Sequence, residues 1–199
     1  GQSHKLIQLS SIKSVEKYFA FSVLLDSSGI YKSINILNEP EEDKTKYLNA
    51  LKRSLKKIIS DSKSDYRKIV FHVPFKIKKY ELEVIQETLA SIQDVEFVVI
   101  RINTKNKYFG YYKQSNSLVP FESSLVQISK NEYLVWFEGL QFHRKKHHKR
   151  FGGPIYIQFY YSNKILSSKK KEEYLQDVIN ISGTNWRGFN SKSLPVSTY

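Results

Sequence analysis

Lys68-Ile69-Val70-Phe71-His72-Val73 and Val95-Glu96-Phe97-Val98-Val99-Ile100 stand on either side of a segment in which Leu82, Ile85, Leu89 and Ile92 recur at helical spacing. Each flanking run is short and apolar on successive residues, as in strands covered on both faces of a parallel sheet. Pro74 lacks a backbone N–H, so the first run loses its ladder there. Strand, helix and strand in this order predict a right-handed crossover and set the fold class as α/β.

Toward the amino terminus, Asp43 to Ser60 brings Tyr47, Leu48, Leu51, Leu55, Ile58 and Ile59 back at helical spacing, with Lys44, Lys52, Arg53, Lys56 and Lys57 over much of the remainder. This pattern predicts an amphipathic helix. Before it, Phe19 to Leu25 and Ile30 to Ile34 are aromatic and β-branched runs separated by Asp26-Ser27-Ser28-Gly29, and predict a β-hairpin. Toward the carboxyl terminus, strand formers occur at Leu118-Val119, Ser124 to Ile128, Tyr133 to Phe137 and Pro154 to Tyr160. Lys169 to Ile181 then returns to helical spacing, with Gly183 as a terminator. The expected architecture is one domain over residues 1–199, a mixed central sheet flanked by helices, with the strand order undetermined.

The 199 residues include no cysteine, which excludes disulfides, thiolate metal sites and cysteine nucleophiles. A reducing compartment fits this usage, and the cytoplasm is the default expectation. No run approaches the ~20 apolar residues that span a bilayer, and Gly1-Gln2-Ser3-His4-Lys5 lacks the apolar core of a secretory signal. No membrane contact is expected. Lys and Arg number 32 against 19 Asp and Glu, a formal charge of +13 that favours polyanions through counterion release. Neither the phosphate loop of an NTPase nor the Gly-x-Ser-x-Gly of a serine hydrolase occurs.

Charge gathers beside aromatics and amides in two places. Arg101, Asn103, Lys105, Lys107, Tyr108 and Phe109 follow an apolar run, a combination suited to a groove along a nucleic-acid backbone, with a solvated loop as the alternative. The stretch Asn185-Trp186-Arg187-Gly188-Phe189-Asn190-Ser191-Lys192-Ser193-Leu194-Pro195-Val196-Ser197-Thr198-Tyr199 adds two fixed cations, and Asn185 and Asn190 are donors to phosphate or sugar oxygens. Trp186, between a helix and Phe189, is read as a core anchor ahead of a base-stacking residue. Arg144 to Arg150 is read as an exposed basic loop. Its histidines His147 and His148, with His143 before them, are poor zinc ligands amid so many cations.

That final stretch resembles the closing signature of the PIWI module of Argonaute proteins. Phe71-His72-Val73-Pro74-Phe75-Lys76, Arg101-Ile102-Asn103-Thr104-Lys105 and Leu118-Val119-Pro120-Phe121-Glu122 are similar, in the same order, to segments of short, catalytically inactive prokaryotic Argonautes. The resemblance covers essentially the whole chain and implies an RNase H-like fold. It also implies that the first strand of that fold precedes Gly1, in a larger protein with a guide-anchoring MID domain.

Slicing members of the family hold two divalent cations on convergent carboxylates. The resemblance places the first acidic position near Gly1 and the second near Pro74, and neither residue can ligate a metal through a side chain. Asp26, Glu39, Glu41, Glu42 and Asp43 are accounted for by turns and a helix start. The expectation is a protein without catalytic or metal-ligating residues in this domain, which binds guide and target nucleic acid through Arg187, Lys192, Asn185, Asn190, Arg101, Lys105 and Lys107. A guide oligonucleotide is the expected bound group, with magnesium at the guide 5′ end in the parent protein. An associated effector protein in defence against plasmids or phage is the implied partner. An active metal-dependent nuclease and a basic structural nucleic-acid-binding domain are the rival readings.

Overall fold

The computed structural model describes residues 2–9, 12–19, 22–25, 31–35, 44–61, 67–73, 76–90, 95–113, 120–137 and 153–183. The chain divides into two compact units, residues 1–70 with 75–97, and residues 71–74 with 98–199.

In the first unit, β1 (Gln2–Leu9) and β2 (Ile12–Phe19) form an antiparallel hairpin with Gln2 opposite Phe19 and Leu9 opposite Ile12. This hairpin has no counterpart among the sequence expectations, which place Phe19 in the next one. The expected hairpin is β3 (Ser22–Leu25) with β4 (Tyr31–Asn35), whose register shifts at Leu24/Leu25. The two predicted helices are present as α1 (Lys44–Asp61) and α2 (Lys79–Ala90).

Tyr47, Ala50 and Leu55 of α1 and Ile85 and Leu89 of α2 are buried. Glu81 is buried among them, and its two oxygens have separate tasks. One accepts the Tyr47 hydroxyl; the other accepts the Lys78 backbone N–H at 2.7 Å. Lys78 lies at the start of α2, its carbonyl receiving the N–H groups of Glu81 and Leu82, so Glu81 performs the return half of a capping box. Burial, reinforced by the Glu81 carboxylate, pushes the Tyr47 phenol far above its ordinary range.

The five-stranded sheet has the order β5-β6-β9-β8-β7, formed by β5 (Lys68–Val73), β6 (Glu96–Asn103), β7 (Leu125–Ser129), β8 (Glu132–Val135) and β9 (Ile155–Ser162). The Glu96 N–H donates to the Arg67 carbonyl at 2.9 Å, joining the starts of β5 and β6 as the helical crossover requires. The later strands add antiparallel pairs, β6 with β9, β9 with β8 and β8 with β7. Leu118-Val119, expected as strand, lies outside the described residues.

Ile100, Ile102, Tyr133, Val135, Ile155, Ile157 and Phe159 are buried in the second unit, with Tyr174, Leu175 and Val178 from α3 (Ser168–Gly183). Phe159 meets Tyr133 edge-on at 5.8 Å and Tyr174 at 6.3 Å between ring centroids, so α3 covers this face of the sheet. Among the described residues no helix is long and apolar enough to cross a membrane.

Candidate nucleic-acid interface

Along β6 and β9, Arg101 lies opposite Gln158, Ile102 opposite Ile157 and Asn103 opposite Tyr156. Since Ile102 and Ile157 are buried on the face toward α3, strand alternation sends Arg101, Asn103, Tyr156 and Gln158 to the other face. Glu132 of β8 joins them opposite Gln158. Its carboxylate accepts the Tyr156 hydroxyl, the Ser129 hydroxyl at 2.9 Å and the Gln158 amide at 3.2 Å.

The hydrogen bonds from Tyr156 and Ser129 hold the Glu132 carboxyl below its ordinary range, while burial and Glu132 raise the Tyr156 phenol. The Arg101 guanidinium sits 6.0 Å from the Tyr156 ring centroid. Its Nε is enclosed and has no hydrogen-bond partner.

The chain leaving β6 is shaped by amides. Asn103 Oδ1 accepts the Lys105 N–H at 3.0 Å, and Asn106 Oδ1 accepts the Tyr108 N–H at 3.0 Å. Asn106 Nδ2 donates to the Pro154 carbonyl at 2.6 Å, tying the loop to the start of β9. The Tyr108 ring stacks on Tyr156 at 6.2 Å and 10°. Gly110 is the second anchor: a Cβ there would lie 2.7 Å from both Pro120 Cγ and Trp136 Cζ2. Between and beside these anchors, Lys105, Lys107 and Lys113 are exposed, as are Tyr108, Phe109 and Tyr111. No acidic residue occurs from Thr104 to Lys113.

Of the seven residues expected to touch nucleic acid, the structure places Arg101 in the sheet-face cluster and Lys105 and Lys107 on the adjoining loop. Asn185, Arg187, Asn190 and Lys192 lie outside the described residues, as do Trp186, the basic run through Arg150, Gly1, Pro74 and the acidic residues from Asp26 to Asp43. Tyr156, Gln158 and Asn106 complete the local arrangement and were missed. The available signal was the alternation of Ile155-Tyr156-Ile157-Gln158-Phe159, which assigns Tyr156 and Gln158 to the face opposite the core. His72, expected in the core or at a sheet edge, is half-buried on β5. Burial lowers its imidazole to about 4, partly opposed by the Asp177 carboxylate. Among the described residues no group of three or more His, Asp or Glu side chains is placed to hold a metal.

No protein-family profile matches the chain. A "Piwi protein" of Archaeoglobus fulgidus is 26% identical over 204 residues, covering 90% of this chain and 46% of the relative. The crystal structure of A. aeolicus Argonaute is similar with a TM-score of 0.68 at 13% identity, over 100% of this chain and 26% of that one. Marinitoga piezophila Argonaute in complex with 5′ OH guide RNA and target DNA gives 0.61 at 12% identity, over 99% and 28%. Clostridium butyricum Argonaute bound to a guide DNA and a 19-mer target DNA gives 0.62 at 16% identity, over 99% and 25%. The mixed sheet with its flanking helices is thus the RNase H-like fold of Argonaute PIWI domains. The chain is thus similar in sequence to an archaeal Piwi protein and shares the fold of prokaryotic Argonaute PIWI domains. It spans less than half the length of that relative and about a quarter of the Argonaute chains.

Proposed function

We propose that this PIWI domain holds a guide strand and its complementary target without cutting them, and that target capture is passed to an associated effector protein. The observation that carries the binding half is Arg101 with the exposed Lys105 and Lys107, a cationic surface on a fold whose structural neighbours include Argonautes in complex with guide and target strands. Contacts from such a surface go to phosphate and sugar oxygens, and sequence is read by pairing between the strands.

The non-cleaving half rests on the sequence at the positions where slicing relatives carry acids. By the resemblance, the second position falls near Pro74, which follows directly on β5 in the sequence, and the first falls near Gly1. A pair of divalent ions does not fit these two residues, because neither has a side-chain oxygen. Arg187 and Lys192, with Asn185 and Asn190, extend the backbone contacts, and a MID domain in the same protein anchors the guide 5′ end together with magnesium. Effector signalling is a shift between two populations that target binding biases. The cytoplasm is the compartment where guide, target and effector meet.

Sequencing the nucleic acid that co-purifies with the intact protein tests the reading. Discrete short guides with uniform 5′ ends are expected. A random spread of cellular fragments would assign the domain to general polyanion binding instead. Replacing Arg187 and Lys192 by Ala is expected to weaken binding for all sequences and to flatten its salt dependence by about 2 in the log–log slope. An unchanged slope would remove both residues from the interface.

A further inference from the structure

The exposed aromatics of the 104–113 loop are held in place from both sides. Phe109 is 84% exposed and Tyr111 55%. On one side of Phe109, Asn106 is bonded to the Pro154 carbonyl and Tyr108 stacks on Tyr156. On the other, the Gly110 backbone lies so close to Pro120 and Trp136 that no side chain fits. A loop pinned at both neighbours of a phenyl ring cannot fold that ring inward, so the fold presents it to solvent.

The surroundings select what the ring can receive. Lys105, Lys107 and Lys113 are exposed within the same ten residues, and no carboxylate lies among them. A partner matched to this surface carries negative charge at short intervals together with flat apolar faces. Single-stranded nucleic acid has both. A paired duplex shows its phosphates and hides its base faces, so it satisfies the lysines and leaves the aromatics unused.

We infer that the 104–113 loop is a stacking site for an unpaired base of single-stranded nucleic acid continuing from the guide–target duplex, with Phe109 against the base and Lys105 and Lys107 at the adjoining phosphates. The site is tolerant of base identity, since every base has a π face. Phe109 holds the strand beyond the paired region, while Lys105 and Lys107 continue the phosphate contacts made to the duplex, and the inference rests on the nucleic-acid reading given above.

The test uses the intact protein loaded with guide and two probes: a blunt guide–target duplex, and the same duplex with a short single-stranded target flank containing 2-aminopurine, whose fluorescence falls on stacking. The wild type is expected to prefer the flanked probe and to quench it. Phe109→Ala is expected to lose about tenfold in affinity for the flanked probe and to abolish quenching, with blunt-duplex binding unchanged. Phe109→Trp restores both, and Lys105→Ala with Lys107→Ala lowers affinity and salt slope for both probes while quenching of the bound flank persists. Equal affinity and quenching in wild type and Phe109→Ala would overturn the stacking site and leave duplex binding standing. Failure of the wild type to bind either probe would overturn both readings. Preference for an acidic peptide over both oligonucleotides would assign the loop to a protein partner.

Discussion

At Gly110 the backbone passes so close to Pro120 and Trp136 that one added methyl group would sit 2.7 Å from each ring. Both rings are buried and rigid, so the clash cannot be relieved by turning a flexible side-chain end. Gly110→Ala is therefore expected to cost about 1–3 kcal/mol in denaturant unfolding, with the loop displaced. His72 gives a pH-dependent counterpart. Its imidazole has a folded-state pKa lowered from 6.5 to about 4, mainly by burial, so the unfolded chain takes up the proton first as pH falls. The stability is present above pH 6.5 and is lost progressively down to about pH 4, by at most ~3 kcal/mol. Part of His72 remains within reach of water, so the measured loss falls below that ceiling. His72→Leu should flatten this limb of a stability-versus-pH curve; an unchanged limb would place the imidazole in water. Arg101, Lys105 and Lys107 were legible as a basic group beside aromatics, because composition records charge directly. Tyr156 and Asn106 were not, because their roles come from partners 48 residues away or across a strand pair.

α1, α2, α3, β5 and β6 were readable because their apolar residues repeat at 3.6 or run continuously, and β9 because its apolar residues alternate. The β1–β2 hairpin was not. In β2, Lys13, Lys17 and Glu16 interrupt Ile12, Val15, Tyr18 and Phe19, so neither a period of two nor an apolar run is present. The sheet order was also hidden, since antiparallel additions to an α/β sheet are fixed by long-range pairing that no local pattern records. Two inter-element ties make predictions at this scale. Lys171 of α3 is only 6% exposed, and its ammonium donates to the Lys130 carbonyl at 2.8 Å and Asn131 Oδ1 at 2.9 Å in the β7–β8 turn. Lys171→Met leaves those acceptors without their donor and should destabilise by about 1–3 kcal/mol, with faster amide exchange in the turn. Tyr47→Phe removes the α1 hydroxyl from buried Glu81 and should cost a similar ~1–3 kcal/mol, read by thermal unfolding.

On the proposed reading, the excess of positive charge serves strands whose sequence the protein has no need to read. A surface that met phosphates through Arg101 and exposed lysines would be indifferent to base order, leaving specificity to pairing between guide and target. The proposed absence of acidic side chains at the slicer positions would cost such a protein nothing in binding, since phosphate contacts come from cations and backbone amides. The most direct measurement follows the fate of one labelled target strand. Intact guide-loaded protein is incubated with complementary target and manganese or magnesium, and the target is resolved on native and denaturing gels. The account predicts that the target is retained on the native gel and remains full length on the denaturing one. A metal-dependent cleavage product at a fixed position, lost when one acidic pair is replaced, would contradict it.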